Sequence, residues 1–227
     1  MLDIFGVDGK VQEMTLKVNE IFYSIQGECS YVGRPCVFVR LAGCNLRCSY
    51  CDTEYAYNHG EDLEIDYIIN RVASYRCHLV EVTGGEPLIQ EETPVFVRRL
   101  LETGFEVLVE TNGTRNISRI DDRSVKIMDI KCPSSGEEDK NDLGNLSRLT
   151  DNDEIKFVIG TRGDYAFAKN VLDIIEKYAS VNTVHFSPVF QRLEPKVLAK
   201  WIMEDHLNVR LHLQLHKIIW GAQQRGV

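Results

Sequence analysis

The sequence predicts an α/β fold, a partial, open barrel of about six parallel strands with reduced helix content and one added N-terminal strand. Three observations predict it. Short β-rich apolar runs recur along the chain, and four helical patterns fall between several of them. One connection is too short and too polar to hold a crossover helix.

The added strand is "LKVNEIFYSI" (16 to 25). The first core strand is "CVFVRLAG" (36 to 43), followed by a helical pattern over 62 to 75 and a second strand, "HLVEVTGG" (78 to 85). A helix over 92 to 103 leads to "EVLVET" (106 to 111). The polar stretch "NGTRNISRIDDRS" then passes directly to "VKIMDIK" (125 to 131). "EIKFVIG" (154 to 160), a helix over 164 to 179, "NTVHFSP" (182 to 188), a helix over 195 to 205 and "VRLHLQL" (209 to 215) complete the series. Neither a repeat nor a linker interrupts it, so the 227 residues read as one domain, with residues 1 to 15 as an N-terminal extension.

Composition narrows the function. A formal net charge of −8 argues against a broad nucleic-acid surface, which needs basic patches. The N-terminus does not resemble a secretion signal, and no apolar run approaches a membrane span, so a cytoplasmic location is expected. Thiols stay reduced there, and seven cysteines, an odd number, point to metal or redox chemistry instead of a disulfide framework.

Parallel α/β folds gather chemistry at the C-terminal ends of their strands. Here those ends are the cysteine loop "GCNLRCSYCDT" (43 to 53), "TGGEP" (83 to 87), "ETNG" (110 to 113), "DIKCPSS" (129 to 135) and "SPVF" (187 to 190). Cys44, Cys48 and Cys51 supply three thiols from one loop. Structural zinc wants four ligands, for which Cys29, Cys36, Cys77 or Cys132 offers a fourth. A four-iron cluster held by three cysteines instead keeps one iron open for an external ligand.

The CxxxCxxC spacing of Cys44, Cys48 and Cys51, with GGEP at 84 to 87 on the next strand, resembles the radical S-adenosylmethionine superfamily. Within it, "EIFYSIQGE" (20 to 28), "GRPCVFVRLAGCNLRCSYCDT" (33 to 53), "EVTGGEP" (81 to 87), "VLVETNGT" (107 to 114), "DIKCPSSG" (129 to 136), "IKFVI" (155 to 159), "FSPVF" (186 to 190) and "LQLHKIIWG" (213 to 221) resemble the 7-carboxy-7-deazaguanine synthase (QueE) family over residues 16 to 227. The resemblance implies a radical lyase of queuosine and 7-deazapurine biosynthesis. Such an enzyme converts 6-carboxy-5,6,7,8-tetrahydropterin to 7-carboxy-7-deazaguanine with loss of ammonia. It uses a 4Fe-4S cluster, S-adenosylmethionine as a regenerated cofactor, and Mg2+. A homodimer and a reductant such as flavodoxin are implied as partners, with neither nucleic acid nor membrane.

The resemblance also implies site residues. Cys44, Cys48 and Cys51 ligate the cluster, and Thr53 ligates Mg2+, a metal that favours oxygen donors and retained waters. Ile25, Gln26, Gly27, Glu28, Arg40, Thr83, His216 and the terminal Val227 face the pterin. Arg40 suits its carboxylate, because a guanidinium makes a bidentate pair that lysine cannot. Tyr50, Cys51, Asp52, Gly85, Glu86, Cys132, Ser134, Lys156, Ser187, Pro188, Val189 and Phe190 line S-adenosylmethionine. Gly85 admits the methionine amino group where a side chain would block it. A glycyl-radical-enzyme activase, which shares the cysteine spacing, and a zinc-binding interaction domain are the alternatives.

Overall fold

The computed structural model describes residues 14–181, 183–222 and 224–227. One nine-stranded sheet organises the chain: β1 (Thr15–Ile25), β2 (Pro35–Leu41), β3 (Glu61–Glu64), β4 (Leu79–Gly84), β5 (Glu106–Thr111), β6 (Val125–Ile130), β7 (Glu154–Ile159), β8 (Thr183–Pro188) and β9 (Arg210–Leu211). Their order is β3-β1-β2-β4-β5-β6-β7-β8-β9, and every neighbouring pair from β2 to β9 is parallel. The added strand β1 runs antiparallel to β2, from Val18 opposite Leu41 to Ile25 opposite Pro35. The sheet does not close, so an open barrel with an extra N-terminal strand is what forms.

Among the described residues five α-helices accompany it: α1 (Ile65–Ser74), α2 (Thr93–Glu102), α3 (Arg162–Tyr178), α4 (Pro195–Glu204) and the short α5 (Leu215–Ile219). The first four put one apolar stripe each on the sheet's outer face: Ile65, Ile68, Ile69 and Val72 from α1, Phe96, Val97 and Leu100 from α2, Tyr165, Ala168, Val171 and Ile175 from α3, Leu198 and Ile202 from α4. No α-helix joins β5 to β6, as the polar connection predicts; a single 3-10 turn at Ile117–Arg119 serves instead. Three further 3-10 turns, including Leu143–Arg148, span β6 to β7, and Ile117, Ile120, Leu146 and Leu149 from these loops seal the outer core where helices are missing.

Three expectations are corrected. Residues 62–64 are not the first turn of a helix, because they belong to β3, which pairs antiparallel with β1 (Thr15 opposite Glu64), and the helix begins at Ile65. The run 209–215 yields only a two-residue strand, since the chain turns at Gln214 into α5. Thr15 already belongs to β1, while residues 1–13 of the anticipated extension lie outside the described residues. At the sheet's two edges stand β3, with Glu61, Asp62 and Glu64, and β9, with Arg210. Among the described residues no helix is long and apolar enough to cross a membrane.

Candidate active site

A cavity of about 570 Å³ opens on the inner side of the sheet at the C-terminal strand ends. Beneath it a small apolar plug of Cys29, Cys36, Phe38, Leu79, Leu108, Val125 and Ile127 fills the inner face. Inward side chains turn polar toward the cavity, at Arg40, Glu81, Thr83, Glu110, Asp129 and Lys156.

The cysteine loop forms one wall. It leaves β2 at Gly43, whose φ of 97° is the left-handed region where glycine carries no steric penalty. Leu46 anchors it at 1% exposure, Arg47 N–H donates to Glu137 Oε1 at 2.6 Å, and Ser49 donates to Ser135 O from its backbone (2.9 Å) and to Ser134 O from its hydroxyl (2.7 Å). Cys44, Cys48 and Cys51 all line the cavity, half-buried. Burial pushes the Cys48 thiol up to about 11 and raises that of Cys44, so neither ionises readily without a cation beside it. Among the described residues no three His, Cys, Asp or Glu side chains converge on one metal ion. Three thiols from one loop on a shared wall suit a multi-iron cluster, whose ligands bind different irons.

The TGGEP segment closes against that loop. Gly85 N–H donates to Leu41 O at 3.2 Å and Glu86 N–H to Gly43 O at 2.8 Å. A Cβ on Gly85 would lie 2.1 Å from Gly43 O and 2.6 Å from the Cys44 Cβ, so any side chain would push the two loops apart. The approach this glycine permits is therefore loop to loop as well as ligand to backbone. Glu86 does not line the cavity: fully buried, its carboxylate accepts from Leu88 N (3.0 Å), Thr111 Oγ1 (2.8 Å) and Asn112 N (2.6 Å), bracing β4 against β5.

An ionic network lies at the cavity's centre. Lys156, 5% exposed, donates to Glu28 Oε2 at 2.8 Å and to Glu110 Oε1, with Asp129 Oδ2 at 3.8 Å. Burial pulls its ammonium down, yet these carboxylates hold it well above the ordinary lysine value. Lys131 pairs with Asp129 at 2.8 Å, and Asp129 Oδ1 is buried without a partner among the described residues. That bare acceptor on a cavity-lining residue suits a donor on a bound nucleoside or amino acid, as S-adenosylmethionine carries. Glu28 also accepts from Gln214 Nε2 at 2.8 Å; burial raises its carboxyl, but Lys156, His216 and His212 outweigh it and hold the group below the usual range.

The rim comes from both ends of the described chain. Leu215 N–H donates to Gly27 O at 2.9 Å, which seats α5 on the 26–28 loop; a Cβ on Gly27 would strike His216 Nδ1 at 2.1 Å. His216 stays neutral more readily than a free histidine because burial lowers its basicity. Lys217 Nζ donates to Asp52 Oδ2 at 2.5 Å, Thr53 Oγ1 donates to Asp52 Oδ1 at 3.0 Å, and Val227 lines the same cavity. Arg40 donates from Nε to Glu20 Oε1 at 2.7 Å, and Tyr55 holds that carboxylate too (2.9 Å), which leaves the terminal guanidinium groups for a ligand.

Ile25, Gln26, Gly27, Glu28, Arg40, Thr83, His216, Val227, Tyr50, Asp52, Thr53, Gly85, Lys156, Val189 and Phe190 thus meet around one cavity with the three cysteines. Glu86, Cys132, Ser134, Ser187 and Pro188 are not on its wall. Cys132 is 0% exposed in the outer core, where burial pushes its thiol up. Ser134 gives its N–H and hydroxyl to Asp164 (2.7 and 2.6 Å), the residue that also completes the capping box of α3 with Thr161. The sequence reading passed over Glu81, Glu110, Asp129, Lys131, Gln214 and Lys217, all of which line the cavity. The signal for the first four was available: a charged residue inside an otherwise apolar strand run has to face something polar.

The profile of the radical SAM superfamily matches residues 39–196. The 7-carboxy-7-deazaguanine synthase of Koribacter versatilis is 44% identical over 93% of this chain and 100% of its own length, and that of Chlorobaculum tepidum is 44% identical over 95% and 99%. The chain belongs to the radical SAM superfamily, in the 7-carboxy-7-deazaguanine synthase family. The crystal structure of QueE from Escherichia coli superposes with a TM-score of 0.74 over 89% of this chain and 95% of that one, and at 24% identity it supports the fold. A radical SAM enzyme carries a 4Fe-4S cluster and S-adenosylmethionine, and the cysteine wall, the side-chain-free Gly85 and the bare Asp129 acceptor fit those groups.

Proposed function

We propose that this chain converts 6-carboxy-5,6,7,8-tetrahydropterin to 7-carboxy-7-deazaguanine, with loss of ammonia, as a step toward queuosine and other 7-deazapurines. The observation that carries the reading is the meeting, in one cavity, of the three-cysteine wall, the guanidinium of Arg40 and the charged ring around Lys156. When bound, the cluster and S-adenosylmethionine supply the one-electron, hydrogen-abstracting chemistry.

The chain's own residues do the rest. Arg40, held at Nε by Glu20, presents its terminal groups to the substrate carboxylate. Gln26, Glu28 and Thr83 offer the mixture of donors and acceptors that a pterin edge requires. Glu28 and Glu110 both accept hydrogen bonds from Lys156, which sets two carboxylates and one ammonium beside the ring. His216 and Val227 cover the ring and exclude water. Thr53 Oγ1, beside the Asp52 carboxylate, is an oxygen donor of the kind Mg2+ takes. Tyr50, Lys156, Val189 and Phe190 would flank the nucleoside, while Glu86, Cys132, Ser134, Ser187 and Pro188 would support that wall from behind.

A reductant such as flavodoxin is expected at the exposed cysteine-loop surface, where Arg47 and Arg192 flank Ser49. A homodimer would use the exposed Leu211, Leu213, Ile218, Ile219 and Trp220. Anaerobic reconstitution with iron and sulfide, then incubation with dithionite, S-adenosylmethionine, Mg2+ and the pterin, should give the deazapurine by mass. A reconstituted protein that cleaves S-adenosylmethionine yet leaves the pterin unchanged would overturn the reading.

A further inference from the structure

Besides Asp52, which pairs with Lys217, the cavity wall carries four side-chain carboxyls: Glu28, Glu81, Glu110 and Asp129. Lys156 serves Glu28, Glu110 and Asp129, and Lys131 serves Asp129. Among the described residues, Glu81 has no cationic partner. It is 5% exposed, on β4 two positions before Thr83, and its described hydrogen-bond partner is an uncharged amide: Gln26 Nε2 donates to Glu81 Oε2. The orientation of that amide is fixed from its other end, since Glu28 N–H donates to Gln26 Oε1 at 3.0 Å. Gln26 is itself 2% exposed. One buried amide therefore couples Glu81 to the loop that presents Glu28.

The groups facing Glu81 decide its charge. Glu110 from β5 and Glu28 from the loop after β1 repel an anion there, and Lys156 from β7 attracts it but already serves three other carboxylates. Cys36 from β2 and Cys29 from the turn after the 26–28 loop also face it as buried thiols, both pushed up and so neutral. Burial, then the charges of Glu110 and Glu28, push the Glu81 carboxyl up to about 8. An ionised Glu81 would add a fourth carboxylate to a wall with two lysines, in a space that excludes most water.

We propose that Glu81 acts as an uncharged carboxylic acid that positions Gln26, and through it the Glu28 loop, so that the pterin-facing wall between Arg40 and Lys156 carries no further unpaired carboxylate. The arrangement makes Glu81 a positioning residue and gives the site an alkaline limit. Loss of the Glu81 proton sets it against Glu28 and Glu110 and loosens the loop that α5 covers. Asp129 and Glu110 each have the lysine partner that Glu81 lacks.

The inference rests on the proposed activity only for its kinetic arm. In the reconstituted enzyme, kcat/KM should fall above about pH 8 by about tenfold per pH unit. Glu81→Gln, an uncharged isostere, should cost about threefold to tenfold in kcat/KM at neutral pH but remove that alkaline decline. Glu81→Leu, which leaves Gln26 without its partner, should raise KM more than it lowers kcat, with the melting temperature reporting whether the variant folds. The second arm needs no turnover: infrared difference spectra of the reconstituted, substrate-free enzyme should contain a protonated-carboxyl carbonyl band that titrates away above neutrality and is missing in Glu81→Gln. A decline that persists unchanged in Glu81→Gln, a loss beyond about a hundredfold in that variant at neutral pH, or the absence of the carbonyl band would each overturn the proposal. If the band is present and no deazapurine forms, Glu81 stands and the substrate reading fails.

Discussion

The two faces of the one sheet obey different rules, and β6 carries both in six residues. Its outward Met128 and Ile130 join the large apolar core, while its inward Val125 and Ile127 join the small plug and Asp129 reaches the cavity. The outer face is apolar along most of its strands, with Lys126 at the start of β6 buried against Asp122 and Asp153 as an exception. The inner face carries the polar and ionic groups of the cavity, among them Arg40, Glu81, Thr83, Glu110, Asp129 and Lys156. Stability is therefore concentrated on one side and chemistry at one end of the other. Substitutions on the two faces should separate the two properties.

The largest separation is among the cysteines. Replacing Cys44, Cys48 or Cys51 by Ala should abolish both iron binding and turnover, whereas Cys132→Ala, in the outer core, should keep its iron and lose about 1–2 kcal/mol of stability. Iron content and urea unfolding measure the two; equal cluster loss in Cys132→Ala would break the comparison. Phe96→Ala, at 0% exposure on the outer face, should cost about 3–5 kcal/mol, with kcat of the folded fraction unchanged at low temperature.

Acid sharpens the contrast from the inner side. His212, buried near Glu28, Glu154, Lys156 and His185, has its basicity lowered from 6.5 to about 4, chiefly by burial. The unfolded chain therefore binds the proton more readily than the folded one. The stability tied to neutral His212 is present above about pH 6.5 and is lost as pH falls toward about 4, by at most ~3 kcal/mol. Melting curves across that window should flatten in His212→Gln; an unchanged acid slope would remove His212 from the account.

Two smaller effects test the rim. Deleting Gly226 and Val227, or adding a C-terminal tag, should raise KM by about tenfold, near 1.4 kcal/mol, with iron content unaltered. Unchanged kinetics would place the tail outside the substrate's reach. Thr53→Ala should weaken the Mg2+ dependence and spare the cluster spectrum, and a titration identical to the parent's would mark Thr53 as a turn residue.

What the sequence made legible was local. The cysteine spacing, the glycines of TGGEP and the strand–helix alternation are read within a few residues, and the helix-free passage from β5 to β6 followed from polarity alone. The ionic ring was missed because Glu81, Glu110 and Asp129 sit inside runs whose apolar character hides single charges. Their partners also come from other strands, as with Lys156 on β7 and Glu28 after β1. Residues 62–64 read as helix because "DLE" prefaces a helical pattern, and only the facing strand β1 reveals the pairing. The 209–215 run was cut short by a tertiary contact, Leu215 to Gly27, that no window along the chain contains.

The acidic edge has a consequence for assembly. An open sheet offers unpaired backbone groups at each end, and a second sheet can add there. Pairing β3 with the β3 of another copy would bring together six carboxylates, three from each copy (Glu61, Asp62 and Glu64), where like charges facing across strands are unfavourable. The other edge, β9, is two residues long and includes Arg210, too short to template a ladder. Among the described residues neither edge favours a continuous intermolecular sheet, which directs any association of copies toward side chains on a face.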